Sequence, residues 1–411
     1  MLDGCRWDYF SRNEEIHEGF QKFKYQGVVA DYVQPIFPAS SFQSWTTINT
    51  GLFPESHQII GNNMHDRETK ENFTLGDDSS TGNPKWWTGH IPIWTSLTHQ
   101  GYKVSLHHWS RCDVPFFIDG EEIHPKICTP YLDEENGYTD DIPIFTQALY
   151  DTYNNIRSGE IDVGFVYYPT IDTMGHGYGP EGEGVVNEVY QVDKVFSQFL
   201  TFLEKENMAD VVNIIVVADH GMTERSNFAH DKLSNHLTEE AIEAIDIIVD
   251  GGNIGVKVDK IDLVYEELEK WTDMKVYKHD EIPDYLRVQQ AKYGLDILLT
   301  LGNNQVTLGA DNDYGYLYLP QAYGDESEEA QSKGGDHGYE DITDGYEKEG
   351  NFPDMRAIFM AIGPAFKSNY ANPWIKLVDE YQVMMAAVNA LTAPHNGTWE
   401  RVRCMFKDES C

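Results

Sequence analysis

Short apolar runs rich in Val and Ile alternate along this chain with longer amphipathic runs. The apolar runs are typical of strands buried on both faces, and the amphipathic runs are typical of surface helices. The strand-like runs are YKVSLHH, IDVGFVYY, VVNIIVVA, IDIIVDG and MRAIFMAIG, which begin at Tyr102, Ile161, Val211, Ile245 and Met355. The helix-like runs cover residues 13–25, 143–157, 185–206 and 377–391. This alternation predicts an α/β fold with a mostly parallel central sheet and helices on both faces.

The length of 411 residues allows one large domain or two smaller ones. The sequence contains no internal repeat, long linker or low-complexity tail that would divide it. We therefore expect a single domain over residues 1–411 with inserted loops. The acidic, glycine-containing stretch 323–335 is expected to be a mobile loop.

The chain carries 68 acidic and 30 basic residues, which gives a formal net charge of -38. Such a charge repels DNA, RNA and anionic membrane surfaces, so we expect no nucleic-acid partner. No apolar run reaches the roughly 20 residues that span a bilayer, so we expect no transmembrane segment. A phosphate-bearing substrate would require a strong local positive charge, such as a metal ion.

Two tripeptides match the acceptor sequence for N-glycosylation, NFT at Asn72 and NGT at Asn396. They suggest an extracellular glycoprotein, secreted or at the cell surface, and we expect no signal peptide within the residues of this chain. The cysteines form no C-x-x-C pair, so neither a redox motif nor a zinc knuckle is expected. The five cysteines are Cys5, Cys112, Cys128, Cys404 and Cys411.

Acids and histidines follow directly after two of the strand-like runs. The run NIIVVADHGMTE contains Asp219 and His220 at the end of its apolar part. The run IDVGFVYY continues into PTIDTMGHGYGP, which contains Asp172 and His176. Each of these residues alone is compatible with an ordinary turn or surface position. Because the carboxyl ends of strands in an α/β sheet form the usual ligand-binding edge, we expect them to gather there.

Two further residues of the same types complete the set. His337 lies in GGDHGYED, and Asp3 lies in MLDG after a first strand that we expect to be truncated. Mixed carboxylate and imidazole ligands are typical of zinc rather than magnesium, which prefers oxygen ligands and retains water. Three carboxylates and three histidines fit two zinc ions. Metal pairs of this kind stabilise the attacking and leaving oxygens of a displacement at phosphorus.

A candidate nucleophile lies in the stretch FPASSFQSWTTINTG. The sequence after the proline predicts a helix that ends at Gly51. A serine at the start of this helix would lie beside exposed amide groups and the positive end of the helix dipole, where a phosphoryl group binds readily. A plain serine cap is the alternative. The spacing alone does not separate Ser40 from Ser41.

Several motifs together resemble those of one family. LDG, PIFPASSF, TGLFPESHQIIGNNMHD, IDTMGHGYGP, VVADHGM and DHGY are similar to motifs of the ecto-nucleotide pyrophosphatase/phosphodiesterases, which belong to the alkaline phosphatase superfamily. The resemblance covers nearly the whole chain and implies an alkaline-phosphatase-like α/β fold. Within the family, HQIIGNNMHD, PKWWTGHIPIW, RAIFMAIGPAFKSN and NGTWERVRCM most resemble the choline-specific branch, the glycerophosphocholine cholinephosphodiesterases.

The resemblance implies two zinc sites and one nucleophile. The expected ligands of one zinc ion are Asp172, His176 and His337. The expected ligands of the other are Asp3, Asp219, His220 and the nucleophile. The family pattern places the nucleophile at Ser41, and Asn62 matches an asparagine that hydrogen-bonds the phosphoryl oxygen. After the aromatic residue that follows the nucleophile, Gln43 and Ser44 replace the Pro-Asn pair of most relatives, so we expect an altered pocket shape.

The resemblance implies a zinc-dependent phosphodiesterase that releases phosphocholine from glycerophosphocholine or lysophosphatidylcholine through a phosphoryl-serine intermediate. A quaternary ammonium group binds to aromatic faces with an acid nearby. Phe42 and Tyr167 match family positions that flank the substrate, and Asp151 is the candidate acid, with an ordinary helix-surface aspartate as the alternative. The net charge favours a cationic head group. The alternative functions are nucleotide or sphingomyelin hydrolysis, or an inactive secreted binding protein.

The resemblance also implies a disulfide bond between Cys112 and Cys128, because the choline-specific relatives contain the matching pair. The three other cysteines cannot all pair within one chain. We therefore expect Cys404 to form a bridge to a second subunit, which would give a disulfide-linked homodimer.

Overall fold

The computed structural model describes residues 1–109, 111–130, 141–224, 229–249, 252–272, 274–301, 306–309, 334–339 and 353–411. Its helices are α1 Glu18–Gln26, α2 Ser41–Thr50, α3 Pro54–His57, α4 Asp78–Thr81, α5 Ile93–His99, α6 Asp141–Ser158, α7 Thr170–Tyr178, α8 Glu183–Lys205, α9 Glu239–Glu243, α10 Ile261–Leu268, α11 Glu380–Ala387 and α12 Trp399–Val402. Its strands are β1 Val28–Ala30, β2 Val33–Gln34, β3 Asn63–Asp66, β4 Glu71–Thr74, β5 Val104–His107, β6 Phe116–Ile118, β7 Glu121–Ile123, β8 Ile127–Thr129, β9 Val163–Val166, β10 Ile214–Val217, β11 Thr223–Glu224, β12 Ala229–Lys232, β13 Ile245–Val249, β14 Asn253–Val256, β15 Met274–Lys278, β16 Ile297–Leu301, β17 Val306–Gly309, β18 Gly335–Asp336, β19 Phe359–Ile362, β20 Tyr370–Asn372 and β21 Ile375–Lys376.

The first residues of the chain join two groups of strands into one central sheet. Strands β8, β5 and β9 pair in parallel on one side. The amide of Asp3 donates to the carbonyl of Tyr168, just after β9, and the amide of Leu2 donates to the carbonyl of Val217 in β10. On the other side the order continues β10, β19, β1 and β20. Asp3 is therefore fixed by its backbone between two strand ends.

The direction of one strand makes the central sheet mixed. Strand β19 runs antiparallel to both β10 and β1, whereas β1 and β20 are parallel. Three of the four residues of β19 are buried, which explains its continuous apolar run. An apolar run indicates burial on both faces but does not specify direction. The α/β fold class predicted from the sequence is confirmed.

The predicted strand that begins at Ile245 forms β13 outside the central sheet. Strands β13, β14, β16 and β15 form a separate antiparallel sheet. This sheet has its own apolar core, which includes Ile254, Val264, Leu268 and Ile297. The prediction that this strand belongs to the mostly parallel sheet is wrong. An apolar run indicates that a strand is buried, but it does not indicate the sheet to which the strand belongs. The single domain over residues 1–411 stays a prediction.

The four predicted helices are present with shifted ends. They correspond to α1, α6, α8 and α11, of which α1 follows a 3-10 turn and α11 already ends at Ala387. The longest, α8, buries residues at the spacing of an amphipathic helix, including Val185, Val189, Val192, Phe196 and Leu200. Helix α2 ends at Gly51 as predicted, with Gly51 in the left-handed conformation at a φ of 67°.

Two disulfide bonds account for four of the five cysteines. The predicted bond between Cys112 and Cys128 is confirmed. Cys404 is bonded to Cys411 of the same chain, so the predicted bridge from Cys404 to a second subunit is wrong. The turn after α12 brings the two Cα atoms within 5.8 Å of each other. Cys5 is a buried free thiol.

Within the described ranges, no helix combines the length and the apolar character that crossing a bilayer requires. The predicted loop over residues 323–335 lies outside the described residues except for its last two positions.

Candidate metal centre and nucleophile

The sequence Asp219-His220-Gly221 follows β10. Its glycine allows a close contact with a neighbouring backbone segment. The amide of Gly221 donates to the carbonyl of Met355 at 2.9 Å. A Cβ atom at Gly221 would lie 1.9 Å from the carbonyl oxygen of Asp354, so no larger residue fits. The close backbone contact fixes the two residues before the glycine at the end of the strand.

Three of the predicted ligands, Asp3, Asp219 and His220, form what we term the inner group. Their side-chain ligand atoms lie within 4.8 Å of one another. The Nε2 atom of His220 is 3.4 Å from Asp3 Oδ1 and 3.4 Å from Asp219 Oδ2. Ligands arranged tetrahedrally at about 2.0–2.1 Å from a zinc ion are about 3.3–3.4 Å apart. The spacing of the inner group therefore fits one shared metal ion.

The other three predicted ligands, Asp172, His176 and His337, form the outer group. Asp172 and His176 are one turn apart on α7, where His176 Nε2 lies 3.3 Å from Asp172 Oδ2. His337, after β18, places its Nε2 atom 3.2 Å from His176 Nε2 and 3.7 Å from Asp172 Oδ1. His220 also lies within ligand distance of Asp172 and His337, so the two groups are adjacent. All six predicted ligands are thus brought together.

The glycine that follows Asp3 allows the two groups to approach each other. Gly4 has a φ of 61°, and a Cβ atom there would lie 2.7 Å from Asp172 Oδ1. The amide of Gly4 also donates to Asp219 Oδ1 at 3.1 Å. A larger residue at this position would therefore displace a ligand of the outer group.

The three histidines share one hydrogen-bond pattern. In each, the Nδ1 atom contacts a backbone carbonyl oxygen. The pairs are His176 with Gly335 at 3.1 Å, His220 with Gly221 at 2.9 Å, and His337 with Ala39 at 3.0 Å. A carbonyl oxygen can only accept, so Nδ1 carries the proton and Nε2 of the neutral ring carries a lone pair. The facing Nε2 atoms of His176 and His337 cannot then hydrogen-bond each other, whereas a cation would satisfy both.

The ionisable groups of the site are deeply buried and close to one another. Burial, followed by the charges of Asp219 and Asp172, raises the pKa of Asp3 well above its ordinary value. Burial also raises the pKa of Asp219, although His220 opposes this change. Burial and His220 lower the pKa of His337. Burial works to raise the pKa of Asp172, but the neighbouring histidines outweigh it and lower that pKa. Bound cations would stabilise the ionised inner carboxylates.

The structure distinguishes the two candidate serines. Ser41 is the first residue of α2, and its Oγ atom lies 3.5 Å from His220 Nε2. Ser40 is fully buried, and its Oγ atom accepts a 2.8 Å hydrogen bond from the side-chain amide of Gln43. The same amide donates to the carbonyl of Pro38 at 3.0 Å, so Gln43 holds the turn in front of α2. Of the two serines, Ser41 is therefore the one with a described contact to the metal-ligand cluster.

Comparison with known proteins identifies the family. Residues 1–340 match the family described as type I phosphodiesterase / nucleotide pyrophosphatase. The chain belongs to this family. The bis(5'-adenosyl)-triphosphatases of Xenopus laevis and Homo sapiens are 28% and 27% identical to it; each match covers the whole chain and 81% or 82% of the relative. Ectonucleotide pyrophosphatase/phosphodiesterase family member 3 of Bos taurus is 29% identical over 99% of this chain and 43% of its own length.

A solved relative has the same fold. Human ectonucleotide pyrophosphatase/phosphodiesterase 5 superposes with a TM-score of 0.80 at 24% identity, over 99% of both chains. This agreement supports the alkaline-phosphatase-like fold that the motifs imply. These relatives carry nucleotide names, and they do not support the predicted resemblance to the choline-specific branch.

Asn62, which the sequence motifs predict to bind the phosphoryl group, lies just before β3. Its Oδ1 atom accepts a 3.0 Å hydrogen bond from the amide of Phe42, the residue after the candidate nucleophile. Because Oδ1 is occupied, the remaining polar atom of the side chain is the donor Nδ2. Asn62 is thereby tied to the start of α2.

The predicted substrate-binding residues occupy three different environments. Phe42 is buried and packs with its centroid 5.0 Å from Trp45, 4.9 Å from Phe73 and 6.1 Å from Trp87. Tyr167 is also buried. Asp151 lies on the partly exposed side of α6, where it accepts a hydrogen bond from Gln147. In the part of the chain that the structure describes, Asp151 makes no hydrogen bond to the metal-ligand cluster. Substrate-binding roles for the three residues stay predictions.

Trp45 contacts the site but was not expected from the sequence. Its indole N–H donates to Asp219 Oδ2 at 2.8 Å. A tryptophan in a helical run is usually a core residue, which hides such a role. The available signal is its position four residues after Ser41, because residues at this spacing share one face of a helix.

Proposed function

We propose that this chain is a metal-dependent hydrolase that cleaves phosphodiester or pyrophosphate bonds of nucleotides, with Ser41 as nucleophile. One observation carries the proposal. Ser41 Oγ lies 3.5 Å from the Nε2 atom of His220, a member of the inner group. The spacing of both ligand groups supports two zinc ions as the metals. The inner group and Ser41 would hold one ion, and the outer group would hold the other.

Bound zinc ions would supply positive charge for the phosphate group and lower the pKa of a hydroxyl or water held between these residues. Ser41 Oγ releases its proton to solvent and forms the new bond to phosphorus, while the leaving oxygen departs with the electron pair of its P–O bond. Water then cleaves the phosphoryl-serine bond and restores the hydroxyl group. The donor Nδ2 of Asn62 and the amino-terminal end of α2 are suited to stabilise negative charge on the phosphoryl oxygens.

The names of the relatives favour a nucleotide over a choline substrate. Two of them are bis(5'-adenosyl)-triphosphatases, and a third is an ectonucleotide pyrophosphatase/phosphodiesterase. The net charge of -38 repels a nucleotide, but the metal ions would act at short range inside the site. No described contact favours a choline or sphingomyelin head group. The intact ligand set and Ser41 argue against an inactive binding protein.

Two p-nitrophenyl esters with the same leaving group test this proposal. Zinc-loaded protein is expected to cleave the thymidine monophosphate ester with a kcat/KM at least about tenfold above that for p-nitrophenyl phosphorylcholine. A chelator should abolish both reactions. A preference for the choline ester would overturn the nucleotide assignment in favour of the choline hypothesis. If zinc-loaded protein cleaves neither ester, the binding-protein hypothesis replaces the enzyme proposal.

We also propose an extracellular location. The side chains of Asn72 and Asn396, the two candidate glycosylation sites, are both exposed. Two disulfide bonds are compatible with an oxidising compartment. Treatment of protein from secreting cells with an N-glycosidase should increase its gel mobility; unchanged mobility would contradict glycosylation at either site.

A further inference from the structure

One aromatic pair contacts both carboxylates of the inner group. The indole N–H of Trp45 donates to Asp219 Oδ2 at 2.8 Å, and the hydroxyl group of Tyr167 donates to Asp3 Oδ2. The two rings are in edge contact, with their centroids 5.3 Å apart. The pair therefore connects two acids that lie far apart in the sequence.

Together with two backbone amides, these hydrogen bonds fix which carboxylate oxygens face His220 Nε2. Asp3 Oδ1 has no hydrogen-bond partner among the described residues and lies 3.4 Å from His220 Nε2. Asp219 Oδ1 accepts from the amides of Gly4 and His220, each at 3.1 Å. Asp219 Oδ2 accepts from Trp45 and also faces His220 Nε2, so its second lone pair is the one that a metal ion would use. Rotation of either carboxylate would break these hydrogen bonds. The aromatic pair thus restricts both acids to one orientation.

The environment makes these hydrogen bonds strong. Trp45 and Tyr167 are 8% and 5% exposed, and both acceptor carboxylates are buried. A hydrogen bond to a carboxylate is stronger where water is excluded, and it orients a metal ligand as well as satisfying it. By contrast, no described hydrogen bond links the aromatic pair to Asp172, the carboxylate of the outer group. The described side-chain hydrogen bonds of the pair to carboxylates of the cluster go to the inner group.

We propose that Trp45 and Tyr167 are positioning residues that set the metal affinity of the inner group and leave that of the outer group unchanged. This inference rests on the proposed function, because it requires that the cluster binds metal ions. Neither residue contacts the phosphoryl group in this proposal. Both act through the carboxylates of Asp3 and Asp219.

The test removes each hydrogen bond while keeping an aromatic ring. The variants are Trp45→Phe and Tyr167→Phe, prepared as full chains with two zinc ions and dialysed against a series of chelator concentrations. Bound zinc is measured by mass spectrometry, and the fold is checked by circular dichroism. Trp109→Phe is the matched control, because the buried indole of Trp109 donates a hydrogen bond of the same 2.8 Å length to Asn49, away from the metal cluster.

Trp45→Phe and Tyr167→Phe are each expected to lose one zinc ion at a chelator concentration about 10 to 100 times lower than wild type, and to retain the second ion as wild type does. The control should retain both ions as wild type does. Wild-type retention of both ions by folded Trp45→Phe and Tyr167→Phe would overturn the inference, as would an equal shift of both release steps relative to wild type. If wild-type protein binds no zinc at all, the proposed function fails rather than this inference.

Discussion

The inner and outer groups contain the same kinds of ligand in different surroundings. The side chains of Asp3, Asp219 and His220 are 3%, 0% and 0% exposed. In the outer group, Asp172 and His176 are 18% and 16% exposed, and His337 is 6% exposed. The inner ligands follow strands of the central sheet. The outer ligands lie on α7 and after β18, which pairs only with the two-residue strand β11 within the described residues. Ions bound at the two groups, as proposed, would therefore differ in their access to water.

The difference in exposure between the two groups would suit two separate tasks of a two-metal site, which are holding the nucleophile and exchanging substrate for product. A buried group with fixed oxygens can hold the nucleophile in one position. A group near solvent can exchange ligands as substrate enters and product leaves. Ser41 lies beside His220 of the inner group, which is consistent with that division.

The largest effect is expected from Ser41, the proposed nucleophile beside the inner group. Ser41→Ala should lower kcat/KM for the thymidine monophosphate ester at least about a thousandfold, because the attacking hydroxyl group is lost. Ser40→Ala should retain most of the activity, because the described hydrogen bond of Ser40 Oγ comes from Gln43, whereas Ser41 Oγ lies 3.5 Å from His220 Nε2. Bound zinc is measured in both variants. Equal loss in the two variants would show that the helix start, rather than the hydroxyl of Ser41, limits the reaction.

The next effect concerns the order of metal release. Wild-type protein should release its first zinc ion at a chelator concentration about tenfold lower than the second, because Asp172 and His176 of the outer group are more exposed than the inner ligands. His176→Ala should abolish the weaker step and leave the tighter one in place. Release of both wild-type ions in a single step, or loss of the tighter step in His176→Ala, would contradict the difference between the groups.

A smaller effect is expected where the two groups touch. Gly4→Ala should lower the free energy of unfolding by about 1–3 kcal/mol more than Gly159→Ala, because its Cβ would collide with Asp172. Gly159 is the control, since it also has a positive φ, of 74°, but a Cβ atom there would meet no heavy atom within 4 Å. Denaturant unfolding measures both values. Equal destabilisation would mean that the contact at Gly4 relaxes without strain.

The smallest effect is expected in the stability of metal-free protein. The raised pKa of Asp3 means that its ionised form is disfavoured in the folded state, so its contribution becomes unfavourable as pH rises above the ordinary carboxyl value. In chelator, Asp3→Asn should therefore be more stable than wild type near pH 7, by on the order of 1 kcal/mol, and equal to it at low pH. Thermal unfolding across this pH range measures the difference. A constant difference at all pH values would exclude ionisation of Asp3 as its cause.

The sequence predicts that the six candidate ligands lie close together, because the carboxyl ends of strands share one edge of an α/β sheet. Asp219 follows an apolar run that is typical of a buried strand, and Asp172 follows another. Spacing alone leaves the choice between Ser40 and Ser41 open, because both lie at the start of the same helix. The choice depends on Gln43, whose side chain engages Ser40 in a contact that no local pattern specifies.

Long-range pairings are harder to predict than local elements. The run of β13 is recognisable as a strand, but its partner β14 is selected by a second apolar core. Cys404 pairs with Cys411 because a turn returns the end of the chain to it, which cysteine counting cannot detect. Trp45 looks like a core residue until the side chain of Asp219 is placed beside it.

The proton on each of the three imidazoles is held by a main-chain carbonyl, at Ala39, Gly221 and Gly335. Substitution can remove a side-chain partner but cannot remove a main-chain oxygen. The direction in which the histidines face is therefore protected from point mutation as long as the backbone keeps its course. Side chains around the cluster have no such protection, so substrate preference can diverge during evolution while the orientation of the imidazoles remains the same.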